Sequence, residues 1–213
     1  MIRTLSRALP WILLLCLVSV GARADAGFDE EIAILTERLR LGSGARAADL
    51  GAGEGDWSVA FAEAVGATGR VYATELDPER LATLRERKEA GALSQLEVVE
   101  GRVDGTGLEP ASVDGAMLRD VYHHVTDPQP FVASLFATIR PGGRLVVVDF
   151  PPTFWLALFT PEGIPENRGG HGITRDLLVS EFEAAGFVVV ADVDPWPSSN
   201  FVTKTYGVVF DRP

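Results

Sequence analysis

"ADLGAGEGDWS", residues 47–57, sets an acid two positions ahead of three glycines that recur at every second residue. The residues leading into it, Ala45 to Leu50, read as a short strand, and Ser58 to Val65 after it read as a helix. Strand, glycine turn and helix make the opening unit of an open α/β sheet, in which ligands bind at the carboxyl ends of the strands. Glycine is needed there because the backbone must turn sharply and lie against a ligand with no side chain between. The spacing narrows the ligand. A dinucleotide fingerprint requires GxGxxG, whose third glycine would fall at Asp56, and its helix start receives a pyrophosphate. Here Gly51, Gly53 and Gly55 give GxGxG, with Glu54 and Asp56 where phosphates would lie. A polyanion is disfavoured and a cationic ligand is not.

Outward from this loop the hydrophobic period keeps switching between helix and strand. Asp29 to Leu41 carries Ile32, Leu35 and Leu39 on one helical face. After the loop come a strand at Arg70 to Leu76, a helix at Pro78 to Ala90 and a strand at Leu96 to Val99. A strand at Asp114 to Arg119, a helix at Pro130 to Ile139 and a buried strand at Arg144 to Phe150 follow. Such alternation predicts a doubly wound, Rossmann-like α/β sheet with helices on both faces. Beyond a long Pro/Gly-rich segment from Pro151 to Ile173, a helix at Arg175 to Ala185 precedes strands at Phe187 to Val193 and Asn200 to Phe210. Joined by Pro195-Trp196-Pro197, these two pair as a hairpin, which makes the last strand antiparallel.

With 213 residues, 46% apolar and 23% charged, the chain suffices for one domain and its core. Its first 24 residues read as an export signal: Arg3 and Arg7, an apolar run from Trp11 to Val20, and Ala22-Arg23-Ala24 as a small-x-small cleavage site. That ten-residue run is about half of the roughly 20 residues that cross a bilayer. The expected organisation is therefore a leader, residues 1–24, and one domain, residues 25–213, exported to the periplasm or beyond and not inserted in a membrane once cleaved; an uncleaved leader would instead act as an anchor. The single cysteine, Cys16, falls in the leader, so a mature chain would carry neither disulfides nor zinc–cysteine sites. Loss of Arg3, Arg7 and Arg23 would take the formal net charge from -11 to -14. Such a field repels nucleic acid and anionic lipid and suits a small-molecule substrate.

The loop resembles the first motif of the class I S-adenosylmethionine-dependent methyltransferases, acid-x-Gly-x-Gly-x-Gly, which Asp49, Gly51, Gly53 and Gly55 match position for position. "ATELDPERL" places Glu75 where that family keeps an acid at the end of its second strand, "VDGAMLRDVYHHVTDP" is similar to its fourth strand and following loop, and "IRPGGRLVVVDF" to its fifth-strand signature. The resemblance implies a seven-stranded, mostly parallel sheet and S-adenosylmethionine as cofactor. It also implies a loop of Gly51, Ala52, Gly53 and Gly55 cradling the cofactor's amino-acid part with Asp49 near its ammonium, and Glu75 beside Leu76 on the ribose hydroxyls. Where the family often has Gly-Asp after the third strand, this chain has Gly101-Arg102, and arginine cannot accept a hydrogen bond. Either the backbone near Val103 or Asp104 then meets the adenine, or adenine recognition is weaker here.

Chemistry is expected just after the fourth strand, from Asp120, His123 and His124, with Tyr122 between them. Asp120 would face the cationic groups of the cofactor. One histidine, His124 ahead of His123, would take a proton from the methyl acceptor with an ordinary pKa near 6.5, against the plainer reading of packing and helix capping. Asp120 with Asp149 resembles the carboxylates of the magnesium-dependent catechol-type enzymes, but Phe150 stands where those continue with asparagine, and no metal is expected. The Asn/Asp-Pro-Pro-aromatic motif of amino-methylating relatives is missing at Asp120-Val121-Tyr122-His123. "FWLALF", residues 154–159, and the stretch with Arg168 and His171 read either as a lid over an apolar substrate or as a core-packing helical turn. A methyltransferase for a small molecule is the leading expectation; a non-catalytic binding protein on the same scaffold and a dinucleotide oxidoreductase are the alternatives.

Overall fold

The structure is a computed structural model that describes residues 27–153, 171–200 and 203–213. The leader, "FWLALF" and Arg168 lie outside the described residues. Helix α1 covers residues 27–38. It is followed by β1 (Arg46–Leu50), α2 (Asp56–Val65), β2 (Arg70–Glu75), α3 (Pro78–Ala90), β3 (Leu96–Glu100), β4 (Val113–Arg119), a 3₁₀ turn (Tyr122–His124), α4 (Pro128–Thr138), β5 (Ile139–Asp149), α5 (Arg175–Ala184), β6 (Val188–Val193) and β7 (Tyr206–Asp211). The seven strands lie in the order β3-β2-β1-β4-β5-β7-β6. Strands β1 to β5 pair in parallel, and β7 runs antiparallel to both β5 and β6. The order reverses between β1 and β4, which opens a crevice at their carboxyl ends.

The two-residue period of the strands sorts the core into two layers. Ala48 and Leu50 of β1, with Leu145 and Val147 of β5, face α4 and α5, where Phe131, Leu135, Leu178 and Phe182 pack. Ala47, Met117, Val146 and Val148 face the other way, onto Leu35 and Leu39 of the N-terminal segment, Phe61 and Val65 of α2 and Leu84 of α3. Helix α3 begins where read, because Asp77 accepts hydrogen bonds from the Glu79 and Arg80 amides and Pro78 occupies the first turn.

Three of the boundaries that differ from the sequence reading have a visible cause. Helix α2 starts at Asp56, two residues early, since the left-handed Gly55 (φ 86°) already closes the turn. Ile139 opens β5 instead of ending α4: its backbone is extended and pairs with Val113, and the Pro-Gly-Gly turn is carried inside the strand as an irregularity of register. Strand β7 starts at Tyr206, not Asn200. The chain before it folds back, with the Trp196 amide bonded to the Thr205 carbonyl at 3.0 Å and the Trp196 ring buried against Gly207, where a Cβ would come within 2.5 Å of the indole.

Among the described residues no helix is long and apolar enough to cross a membrane. Phe182 is fully buried and stacks on Phe210 with ring centroids 5.0 Å apart. Phe182→Ala should cost about 3–5 kcal/mol of unfolding free energy in urea, whereas Val190→Ala, at a half-exposed position on the edge strand, should stay within about 0.5 kcal/mol.

Candidate functional site

A cavity of about 630 Å³ sits over the crevice, a volume in the range of small-ligand sites. Gly51, Ala52, Gly53 and Gly55 line it, along with Glu75, Leu76, Val103, Asp120 and His124. Most of the expected cofactor residues are thus brought together by the fold. The glycines are needed by geometry: Gly51 has φ 76° and a Cβ there would fall 2.6 Å from a Val121 methyl, while Gly55 would meet Leu84 at 2.5 Å. Those contacts press the loop between β4's following turn and α3.

Glu75 is the bracket of the loop. It accepts the Gly53 amide at 3.0 Å on one oxygen and the Leu76 and Asp77 amides at 2.7 and 3.3 Å on the other, and Arg80 approaches at 3.7 Å. A carboxylate has about four acceptor positions, so one remains on the oxygen shared with Gly53 and Arg80. Glu75 is therefore as much a support of the loop as a candidate ligand group.

Asp49 does not line the cavity. It is 1% exposed, behind the loop, and accepts the Ser58 hydroxyl at 2.6 Å. The resemblance puts Asp49 near a ligand ammonium; its carboxylate stands behind the glycine loop, off the cavity wall. Burial pushes its carboxyl up to about 6; the Ser58 hydrogen bond opposes this, Glu75 adds to it and Arg119 opposes it.

The turn after β4 separates the three expected catalytic residues. Asp120 adopts a left-handed backbone (φ 55°) and lines the cavity, but its carboxylate is paired with Arg119 at 2.5 Å instead of being free to face a cation. Burial raises its pKa, against the pull of Arg119. His123 turns away from the cavity: it is 1% exposed, its Nδ1 lies 2.8 Å from Asp149 Oδ1, and its amide also donates to Asp149. It supports the turn and, contrary to expectation, does not line the cavity where an acceptor would lie. His124 does line the cavity, but burial first, and then the His123 and His171 imidazoles, push it down to about 4, well below the expected 6.5. Asp149 is fully buried and spends its oxygens on His123 and the Phe150 amide, so no carboxylate pair with Asp120 forms at the cavity. Arg102 is held by both oxygens of Asp104 at 2.9 and 3.1 Å, which leaves the Val103 backbone as the candidate adenine contact.

Sequence reasoning missed Arg119 and Trp57. The Arg119 guanidinium lies 4.7 Å over the Trp57 ring, donates to Glu31 at 3.2 Å and to Ser198 at 3.2 Å, and pairs with Asp120. Trp57 was in plain sight beside the glycines, whereas the partners of Arg119 come from three distant segments and left no local signal. Leu76 and Val103, two of the few large apolar side chains exposed among the described residues, stand at the cavity rim.

A family profile described as a methyltransferase domain matches residues 48–147. A demethylmenaquinone methyltransferase of Oceanobacillus iheyensis is 29% identical over 113 residues, 53% of this chain and 48% of the relative. A ubiquinone/menaquinone biosynthesis C-methyltransferase of an Enterobacter strain is 29% identical over 103 residues, 48% of this chain and 41% of the relative. The chain thus spans less than half the length of these curated relatives. Among solved structures, an S-adenosylmethionine-dependent methyltransferase from Aquifex aeolicus superposes with a TM-score of 0.66 at 21% identity, covering 84% of this chain and 88% of that one. A geranyl diphosphate methyltransferase in complex with its diphosphate and sinefungin gives 0.69 at 16%, covering 87% and 78%. The fold is therefore that of these methyltransferases, with the same mostly parallel seven-stranded sheet.

The raised pKa of Asp49 has a signed consequence. Because the folded value lies above the ordinary 3.8, the protonated form is favoured by folding. Relative to Asp49→Asn, the wild-type chain should be most stable below about pH 4 and lose on the order of 3 kcal/mol as pH rises through about 6. Urea unfolding of both proteins at pH 4 and pH 7 measures the difference, and parallel curves would refute the assignment.

Proposed function

We propose that the chain is an S-adenosylmethionine-dependent methyltransferase for a small, largely apolar acceptor. The observation that carries this reading is the cavity itself: a GxGxG loop bracketed by the Glu75 carboxylate, with Asp56 at the helix start holding Arg87 at 2.7 Å. Asp56, in the first turn of α2, lies where a dinucleotide would put a phosphate. This disfavours the oxidoreductase alternative. The match of residues 48–147 to a methyltransferase domain covers the loop, Glu75 and the turn after β4.

In this reading the glycine loop receives the amino-acid part of the cofactor, Glu75 offers its remaining acceptor position to a ribose hydroxyl, and Leu76 and Val103 give flat apolar surfaces to the base. The acceptor enters beside His124, Val125 and Phe131, on the other side of the cavity. Transfer then depends on holding the acceptor atom in line with the methyl group, which is worth more here than covalent help from the protein. An apolar acceptor fits these side chains, and a relative named for demethylmenaquinone favours the same class.

Isothermal titration tests the cofactor. S-adenosylmethionine and S-adenosylhomocysteine should bind one per chain and NAD should not. Glu75→Ala should weaken S-adenosylhomocysteine binding about 10- to 100-fold, the equivalent of about 1.5–3 kcal/mol for a hydrogen bond to a charged group. It should also lower stability, since the Gly53 and Leu76 amides lose their acceptor. Tight NAD binding, or an unchanged Glu75→Ala, would overturn the reading.

The apolar run at residues 11–20 and the Ala22-Arg23-Ala24 site support export with cleavage after Ala24. N-terminal sequencing of material recovered outside the cytoplasm should begin at Asp25, and an intact Met1 would replace a secreted enzyme with an anchored one. Export also favours a second reading, a cofactor-binding protein that does not turn over. Purified protein incubated with S-adenosylmethionine and a panel of quinol and isoprenoid acceptors separates the two by the release of S-adenosylhomocysteine.

A further inference from the structure

The sequence contains three histidines, His123, His124 and His171, and the fold gathers all of them into one cluster. One ring nitrogen from each lies within 4.8 Å of the others. The rings also pack on one another, with centroids 4.1 Å apart for His123 and His124 and 5.1 Å for His123 and His171. Their nitrogens are not spent on this packing. A carboxylate only accepts, so Nδ1 of His123 donates its proton to Asp149, and in the neutral ring this leaves the lone pair on Nε2. That Nε2 belongs to a side chain 1% exposed and has no hydrogen-bond partner; Nδ1 of His171 is likewise buried without one. Leaving a buried polar atom unmatched costs about 1–3 kcal/mol, and phenylalanine in the same places would pack without that cost.

We propose that His123, His124 and His171 form a binding site for a divalent transition metal such as zinc or cobalt, with Asp149 orienting His123 from behind. Imidazole nitrogen favours zinc, copper, nickel and cobalt over magnesium or calcium, which take oxygen ligands. The Asp149–His123 pair is the carboxylate–imidazole arrangement that fixes the tautomer and ring direction of a metal-bound histidine. Nitrogens held at ~2.0–2.1 Å around tetrahedral zinc stand about 3.4 Å apart, so the rings must close by a little more than about 1 Å. His124, on the cavity wall, and His171, which is partly buried, are the rings that have to shift, while Asp149 holds His123 still. Three protein ligands leave a fourth position for water or substrate. Since His124 also lines the cavity, that position would be reached from the acceptor side. The site stands on its own residues and does not depend on the chain being a methyltransferase.

The test uses untagged full-length protein, zinc or cobalt(II) ions alone, and no cofactor. Calorimetry should show saturable binding of one ion per chain, and cobalt should develop visible absorption bands of a low-coordinate site. His171→Ala should weaken binding by more than about 100-fold, beyond the loss of an outer-shell partner, and Asp149→Asn by about 10- to 100-fold. X-ray absorption of the wild-type zinc complex, which needs no variant to fold, should show imidazole nitrogens at ~2.0–2.1 Å. Absence of saturable binding, undiminished binding in His171→Ala, or a shell of carboxylate oxygens alone would overturn the proposal.

Discussion

The hydrogen bond from the Gly53 amide to the Glu75 carboxylate, 3.0 Å long, ties the turn after β1 to the end of β2. The rest of the site depends on it. A loop of alternating glycines has little side-chain packing to hold it and loses much backbone entropy on ordering. Glu75 supplies an acceptor at the middle glycine, and the neighbouring Leu76 and Asp77 amides hold the carboxylate in place. The close approach of Val121 to Gly51 and of Leu84 to Gly55 then sets the curvature from either side. The cavity keeps its depth because no Cβ fits at these points.

A second support comes from charge. The chain is strongly acidic, with a formal net charge of -11, and Glu54, Asp56, Glu75 and Asp120 line the cavity together with Arg80, Arg102 and Arg119. Arg119 offsets part of this repulsion by pairing with Glu31 and Asp120 while stacking on Trp57. It is only 19% exposed in its side chain, so these pairs are screened less than surface pairs. By the same placement Arg119 fastens the N-terminal helix to the end of β4, which closes the cavity on the α1 and α2 side.

On the far side, Asp149 at the end of β5 performs the corresponding task for the turn after β4. It receives the His123 amide, the His123 ring and the Phe150 amide, and so fixes the turn whose next residue, His124, reaches the cavity. Glu75 and Asp149 are thus paired in logic: each is a carboxylate at the end of a parallel strand that orders a neighbouring loop through backbone amides. They differ in exposure. Glu75 keeps an edge on the cavity, whereas Asp149 is fully buried and does not line it.

Local sequence was enough for the elements and for the loop. Alternating periods marked every strand of the sheet, Asp77-Pro78 marked the start of α3 to the residue, and the glycine spacing pointed to the cavity floor. These are short-range properties, set by backbone sterics and by which face of an element is apolar. Boundaries slipped where a tertiary contact overrode the local pattern, as when Val113 drew Ile139 into β5 and the burial of Trp196 delayed β7. The roles of polar side chains were less legible, because a carboxylate or imidazole has the same letter whether it faces ligand or protein. Only the folded chain decided that Asp49 lies behind the loop, that Asp120 is claimed by Arg119, and that His123 belongs to Asp149 while His124 remains at the cavity. The meeting of His171 with the other two histidines is the extreme case, since residues far apart in the chain share no periodicity and are brought together where the Ile173 amide bonds the Phe150 carbonyl at the end of β5.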